Sequence, residues 1–598
     1  MSVYKLFVLY MVIGLCCTTG FALSPNETPQ NVTSTLGTNV APFNSNTPGW
    51  VLVDAFPKTG SWFFSTCPPP PTPVSPPQST TLDANGWISA LTPGECAGTL
   101  VFNNLLDDQG VAHYPAGTYV LLFEGEGRFT FGDGTNEVLY ENGMVGPNMT
   151  PVETQNGLKR ITLDLPQSGQ GQDGISFFLT SVAPAPNHLR NFRLLVPGGV
   201  CGVSPTQLNR FKSCSTSRGG QGQCDANETC YDFEQVYFDR FRDAPALMGN
   251  KVVFHPAYIQ HYRPYRAIRY MKWSRVEDSQ LVNWSDRVSM HEVNFTSDTR
   301  GFPYEYMIAM SNQLRADAYF NIPVLANDGF IEAYGRLVND HLDPALRAYV
   351  EYGNEFFNSA QAVPWPEALA AANASGSGIP SSDSDLIKVA KWSSRQGAAV
   401  MNRWRNQFTN PNRVTRVLAG FNPVSDYTQA ALDATAVNGV REIDALAMMG
   451  YLGPDRRFVD DPARFDTLSI DELFEEIEDG RHLNSEASLQ DLGDVYDEAQ
   501  TMAGNLELIL YEFGQHIVPT NSAPQPTIDR VRAANRDSRM RIAYEQNIAR
   551  FRTAGGTMAF HFLVEDVWDH NGFFGLLEFQ DEDPVQSPKY QAILNAIP

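Results

Sequence analysis

Two short segments hold the residues best suited to chemistry. Tyr349-Val350-Glu351-Tyr352-Gly353-Asn354-Glu355 and Leu508-Ile509-Leu510-Tyr511-Glu512-Phe513-Gly514 are each an apolar, β-prone run that ends in a carboxylate. The first presents Asn-Glu at its tip, the second Glu-Phe-Gly. Two buried strands that bring one carboxyl each to the same place can divide two roles. One carboxyl, kept protonated, gives its proton to a leaving oxygen, while the other, kept ionised, attacks carbon from the opposite face. Cleavage of a glycosidic bond with retention requires this pair. Glu351 is a rival carboxylate, but it falls within its strand and not at the tip.

The surrounding pattern supplies elements that could place the pair. From position 187 onward, candidate strands at 191–196, 267–271, 319–324, 348–352, 415–420, 444–449, 507–511 and 557–562 alternate with helical stretches. In one of these, Ile387, Ala390, Ser394, Gly397, Met401, Trp404 and Phe408 recur at 3–4 spacing. In another, Met540, Tyr544, Ile548 and Phe551 run up to Gly555-Gly556, which reads as a C-cap. The repeats predict a (β/α)8 TIM barrel over 187–598, with a cysteine-rich insertion at 201–230 after the first strand. Catalytic groups of such barrels sit at the C-terminal strand ends. Glu355 falls just past the fourth predicted strand and Glu512 at the end of the seventh.

Residues 48–186 read differently, as short strands and turns with weak helical periodicity. The expectation is an all-β sandwich of jelly-roll type that precedes the barrel. Trp50, Trp62 and Trp87 are its sugar-platform candidates, although a Trp in a small sandwich is more often core. The polyproline-like run 67–77 reads as a loop within it.

The first 22 residues read as a secretory signal. Lys5 supplies the charge, Leu6 to Cys17 the apolar core, and cleavage is expected after Ala22. Residues 23–47, rich in Ser, Thr, Asn and Pro, read as a disordered leader. Cys16 and Cys17 leave with the signal. Cys67, Cys96, Cys201, Cys214, Cys224 and Cys230 remain, and in an exported chain with irregular spacing they favour disulfides over zinc, the pairing left open. Sequons at Asn26, Asn31, Asn148, Asn227, Asn283, Asn294 and Asn373 suit a secreted glycoprotein, with Pro151 counting against the one at Asn148.

A formal net charge of −24 argues against nucleic-acid and anionic-membrane partners, which call for basic patches. No stretch after the signal is long enough to span a membrane. No metal cluster, phosphate-binding glycine motif or Gly-x-Ser-x-Gly context stands out, so no cofactor is expected.

The Asn-Glu at strand four and the Glu at strand seven resemble the clan A glycoside hydrolases, which share a barrel and a retaining mechanism. The strings Pro264-Tyr265-Arg266-Ala267-Ile268-Arg269-Tyr270-Met271-Lys272-Trp273 and Phe320-Asn321-Ile322-Pro323 are also similar to secreted proteins labelled cellulose-binding. The resemblance implies Glu355 as acid/base, Glu512 as nucleophile and Asn354 on the sugar 2-hydroxyl. Arg269 and Tyr451 would hold Glu512 ionised, and Trp568 would stack on a sugar. Asn321, Trp273, His516 and His561 are weaker subsite candidates. Many clan members carry a His where this chain has Met449, a departure that bears on the substrate cleft. The implied substrate is a polysaccharide or oligosaccharide. The alternative is a non-catalytic carbohydrate-binding protein that keeps the barrel as a scaffold.

Overall fold

The first barrel strand is Leu36–Asn39, inside the segment whose composition reads as a disordered leader. The protein is represented by a computed structural model that describes residues 31–67, 80–107, 109–165, 174–215, 224–296, 299–422, 425–483 and 487–597. The expected signal segment and the Asn26 sequon lie outside the described residues. Leu36–Asn39 pairs in parallel on both sides: Gly37 stands opposite Ala267 and Phe560, and Thr38 opposite Ile268 and His561. The tetrapeptide has no apolar run to announce it. It is buried because the closing barrel supplies a partner on each edge. Gly37 answers a close approach, since a Cβ there would lie 2.4 Å from the Phe560 ring.

Ala267–Arg269, Asp317–Ile322, Ala348–Tyr352, Val414–Ala419, Ala445–Leu452, Glu507–Gln515 and Met558–His561 follow in chain order and close an eight-stranded parallel barrel. These strands are buried on both faces, which is why they read as near-continuous apolar runs. The lumen is filled by a small cluster that includes Tyr319, Tyr349, Ile509, Tyr511 and Phe560. A much larger cluster lies between the strands and the outer helices.

The predicted first strand at 191–196 is therefore corrected. Arg190–Leu195 belongs to a four-stranded antiparallel sheet and pairs with Gly117–Glu124. The all-β unit does not precede the barrel; it is inserted between the first and second barrel strands. Its four-stranded sheet and a seven-stranded antiparallel sheet share one aromatic core. Across that core Phe123 meets Phe129 at 5.3 Å and Phe177 meets Phe192 at 5.4 Å. Trp87 is part of it, and Trp50 and Trp62 are half-buried with indole N–H groups donated to the carbonyls of His113 and Gly86.

The cysteine-rich segment forms a three-stranded sheet, Gln207–Cys214, Gly199–Ser204 and Thr229–Asp232, after this unit and not after a barrel strand. Cys201 is bonded to Cys224, Cys214 to Cys230 and Cys67 to Cys96. Two sequons are corrected as well. Asn31 is buried and donates to the carbonyls of Tyr265 and Leu314, and Asn294 is buried and donates to that of Gly60, so neither side chain has room for a glycan. Asn148, Asn227, Asn283 and Asn373 are exposed. Among the described residues no helix is long and apolar enough to cross a membrane.

Candidate active site

The C-terminal ends of the barrel strands bring Glu355 and Glu512 together with Arg269. The seventh strand reaches this end through a β-bulge. Its register against the sixth strand runs Leu510 opposite Met448, then Glu512 opposite Met449, so Tyr511 is an extra residue. In a regular strand Tyr511 and Glu512 would face opposite sides. The bulge lets both act at one place, as bulges beside active sites do. Tyr511 fills the lumen with its hydroxyl 3.3 Å from Glu355 Oε1, while Glu512 meets Arg269. Asn39, at the end of the first strand, donates to the backbone carbonyl of Tyr511 at 3.1 Å, a group that the bulge leaves available.

Glu355 is placed by a turn. Gly353, after the fourth strand, has φ 66°, and Glu355 itself has φ 35°. Left-handed backbone at a glutamate is uncommon and carries strain of the kind found at functional positions. Asn358 Nδ2 donates to Glu355 Oε2 at 3.1 Å.

Arg269 organises the floor. It is fully buried at the end of the second strand, stacked between Tyr319 and Tyr511 with its guanidinium carbon 5.1 and 5.2 Å from their ring centres. Its Nη1 donates to Glu512 Oε1 at 2.7 Å and to Asn39 Oδ1 at 3.0 Å. Its Nη2 donates to Glu351 Oε2 at 2.9 Å and to Asn354 Oδ1 at 2.7 Å. The Tyr451 hydroxyl donates to the other oxygen of Glu512 at 2.7 Å.

The two carboxyls differ in electrostatic setting. Burial, then the charge on Glu512, raises the Glu355 carboxyl from 4.5 to about 7, against the Asn358 hydrogen bond and Lys272. Burial also pushes Glu512 up from its ordinary value, but Arg269, Tyr451 and Lys272 all favour its charged form. Two short donated bonds, one from a cation, make Glu512 the carboxyl that ionises first. The site can thus hold one carboxylate, on Glu512, and one carboxylic acid, on Glu355.

Other sequence-predicted residues separate into contacts, supports and core. Asn354 is buried, and its Nδ2 has no protein acceptor among the described residues. Asn321 is corrected from substrate contact to support: it is fully buried and spends Nδ2 on Glu351 and on the Gly353 carbonyl. Arg269 is likewise too buried to touch a ligand directly. Trp568 is corrected from platform to core. It is 1 % exposed, donates to the Gly575 carbonyl, and has Arg536 and Lys589 against its ring. Trp273 and His561 are also buried core residues. His516 is half-buried 4.9 Å from the Tyr451 ring, and with Phe562 and Phe574 it forms an aromatic wall around that tyrosine. Met449, at the departure from the clan pattern, has its backbone pinned on both sides by Asn422.

Sequence reasoning missed Asn39, Tyr511 and Asn358, and it set Glu351 aside. Only Tyr511 carried a usable signal, as the neighbour of a candidate acid. The others depend on strand closure and on the turn after the fourth strand.

No family model matches the chain, and no curated protein sequence matches it. Solved structures similar to part of it include the catalytic core of a xylanase A, at 10 % identity and TM-score 0.33, covering 60 % of this chain and 94 % of that one. A broad-specificity endoglucanase from Ruminococcus champanellensis with bound cellotriose matches at 10 % identity and TM-score 0.31, over 56 % of this chain and 82 % of that one. A β-glucosidase double mutant from Trichoderma harzianum matches at 13 % identity and TM-score 0.33, over 57 % of this chain and 86 % of that one.

Proposed function

We propose that the protein is a secreted retaining β-glycoside hydrolase that acts on a polysaccharide by double displacement. The observation that carries this reading is the pairing of Glu512, held by Arg269 and Tyr451, with Glu355, whose carboxyl is pushed up to about 7. In the first step a lone pair of the Glu512 carboxylate attacks the anomeric carbon. The glycosidic C–O bond breaks, and its oxygen leaves with the proton of Glu355. In the second step Glu355, now ionised, takes a proton from water. The water oxygen attacks the anomeric carbon, and Glu512 is released as carboxylate. Asn354 Nδ2 is free to bond the sugar 2-hydroxyl, a contact that strengthens in the transition state. The aromatic wall at Tyr451, His516, Phe562 and Phe574 suits the apolar face of a sugar ring. Three disulfides support export to an oxidising compartment.

A mechanism-based 2-fluoro glycoside tests the central step. It should label the protein once, and peptide mapping should place the adduct on Glu512. Glu512→Ala should abolish hydrolysis of β-glucans, mannans, xylans or galactans while leaving glycan binding largely intact. A protein that binds a glycan, resists labelling and is indifferent to the alanine would instead be a binding protein on a barrel scaffold.

A further inference from the structure

Glu351 is a third carboxylate at this site, and the double displacement leaves it without a task. It lies on the fourth strand, 2 % exposed. Its contacts are one-sided. Oε2 accepts from Arg269 Nη2 at 2.9 Å, from the Tyr319 hydroxyl at 2.9 Å and from Asn321 Nδ2 at 2.8 Å. Oε1 has no hydrogen-bond partner among the described residues. Beside Glu351 a cavity of about 20 Å³, lined also by Ser393, Ser394 and Tyr427, has room for one water. Arg269 therefore stands between two carboxylates, with Glu351 on Nη2 and Glu512 on Nη1.

We infer that Glu351 is a positioning residue that acts through Arg269, taking up part of the guanidinium's charge so that Glu512 is held ionised without losing its nucleophilicity. The inference rests on the assignment of Glu512 as nucleophile. A buried cation facing a single carboxylate would bind its negative charge tightly and depress both its proton affinity and its reactivity. A cation shared by two carboxylates leaves the group one net negative charge, which also favours the protonated form of Glu355. The other groups bearing on Glu512 are the Tyr451 hydroxyl from the sixth strand, the Tyr511 hydroxyl from its own, Lys272 after the second and Glu355 after the fourth. Asn39 on the first strand and Asn354 share Arg269 with it.

The one-sided contacts make Glu351→Gln close to a pure change of charge. The amide oxygen can take the place of Oε2 with its three donors, and the amide nitrogen the place of Oε1, which accepts from none. The limb of the pH–rate profile that reports Glu512 should move about one pH unit lower, because Arg269 then favours that carboxylate alone. Plateau kcat should fall by up to about tenfold with KM held. Glu351→Asp keeps the charge and should leave that limb near the wild-type position, even where shortening costs turnover. The titration can also be read without turnover, by carboxyl 13C NMR of protein labelled at glutamate, with the Glu512 signal identified by its loss in E512Q. If Glu512 titrates as in the wild type after Glu351→Gln, or if Glu351→Asp moves it as far, Glu351 is structural only and the inference falls. A shift in the titration of a protein that resists 2-fluoro labelling would overturn the hydrolase reading and leave the coupling standing.

Discussion

At the scale of single residues, Glu355 makes function and stability pull in opposite directions. Its carboxyl ionises near 4.5 when unfolded and near 7 when folded, because burial and the Glu512 charge disfavour the carboxylate. The stability tied to its proton is full below about pH 4.5 and is lost as pH rises through 7. A shift of this size corresponds to about 3 kcal/mol, which partial exposure of the side chain reduces to about 2. Glu355→Gln should therefore melt above the wild type at pH 8 and together with it at pH 4, by calorimetry. Coincident melting at both values would mean that the carboxyl is not held up. The same substitution should lower kcat by about 10²–10⁴, less for substrates whose leaving groups need little protonation. Asn358 offers a finer test. Its amide favours the Glu355 carboxylate, so Asn358→Ala should move the alkaline limb of kcat/KM to higher pH. A limb that stays in place or moves down would contradict that role.

At the scale of elements, a turn and a bulge aim the two carboxyls. Gly353 combines φ 66° with an approach in which an added Cβ would lie 2.7 Å from the Phe356 ring. Gly353→Ala is therefore strained twice over, and it should cost about 1–3 kcal/mol in urea denaturation. Glu355 is two residues further on, so kcat should fall by more than tenfold while glycan binding changes little. Loss of stability with kcat intact would show that the turn does not aim Glu355. The bulge at Tyr511 makes a similar point for Glu512, the proposed nucleophile. One inserted residue lets Tyr511 meet Glu355 while its neighbour meets Arg269, and Asn39 satisfies the carbonyl that the irregular ladder releases.

At the scale of the whole molecule, the barrel is closed by a strand remote in sequence from the rest. Leu36–Asn39 and Ala267–Arg269 are neighbours in space, with the all-β unit and the disulfide-bonded sheet between them in the chain. The inserted unit also packs back on the barrel's C-terminal segment. The His113 ring stacks on Phe579 with centroids 3.8 Å apart, and its Nδ1 lies 2.8 Å from Asp581. A chain that begins at residue 48 would keep both carboxyls but lack the first strand. Ala267 and His561 would face an open seam, and Arg269 would lose Asn39. Such a chain should show no native near-UV circular dichroism and no cooperative melt. A folded, active product would remove Leu36–Asn39 from the barrel.

Much of the barrel was legible because parallel strands buried on both faces must be apolar along their length, and the runs before Glu355 and Glu512 show it. The residue types also limited the chemistry, since two carboxylates that end such runs suit few reactions better than glycoside cleavage. The first strand was illegible. Four residues without an apolar run become a strand only when distant segments offer a hydrogen-bonding partner on each side. Trp568 read as a platform because composition cannot tell which side of a strand-end loop is covered, and Lys589 and Arg536 cover it. Glu351 was set aside as a residue within its strand, a position that hid its contact with Arg269. The amino-acid sequence by itself determined which groups are available and which segments must be buried. The tertiary structure alone decided which of those groups share a hydrogen bond, because that depends on barrel closure, one bulge and one left-handed turn.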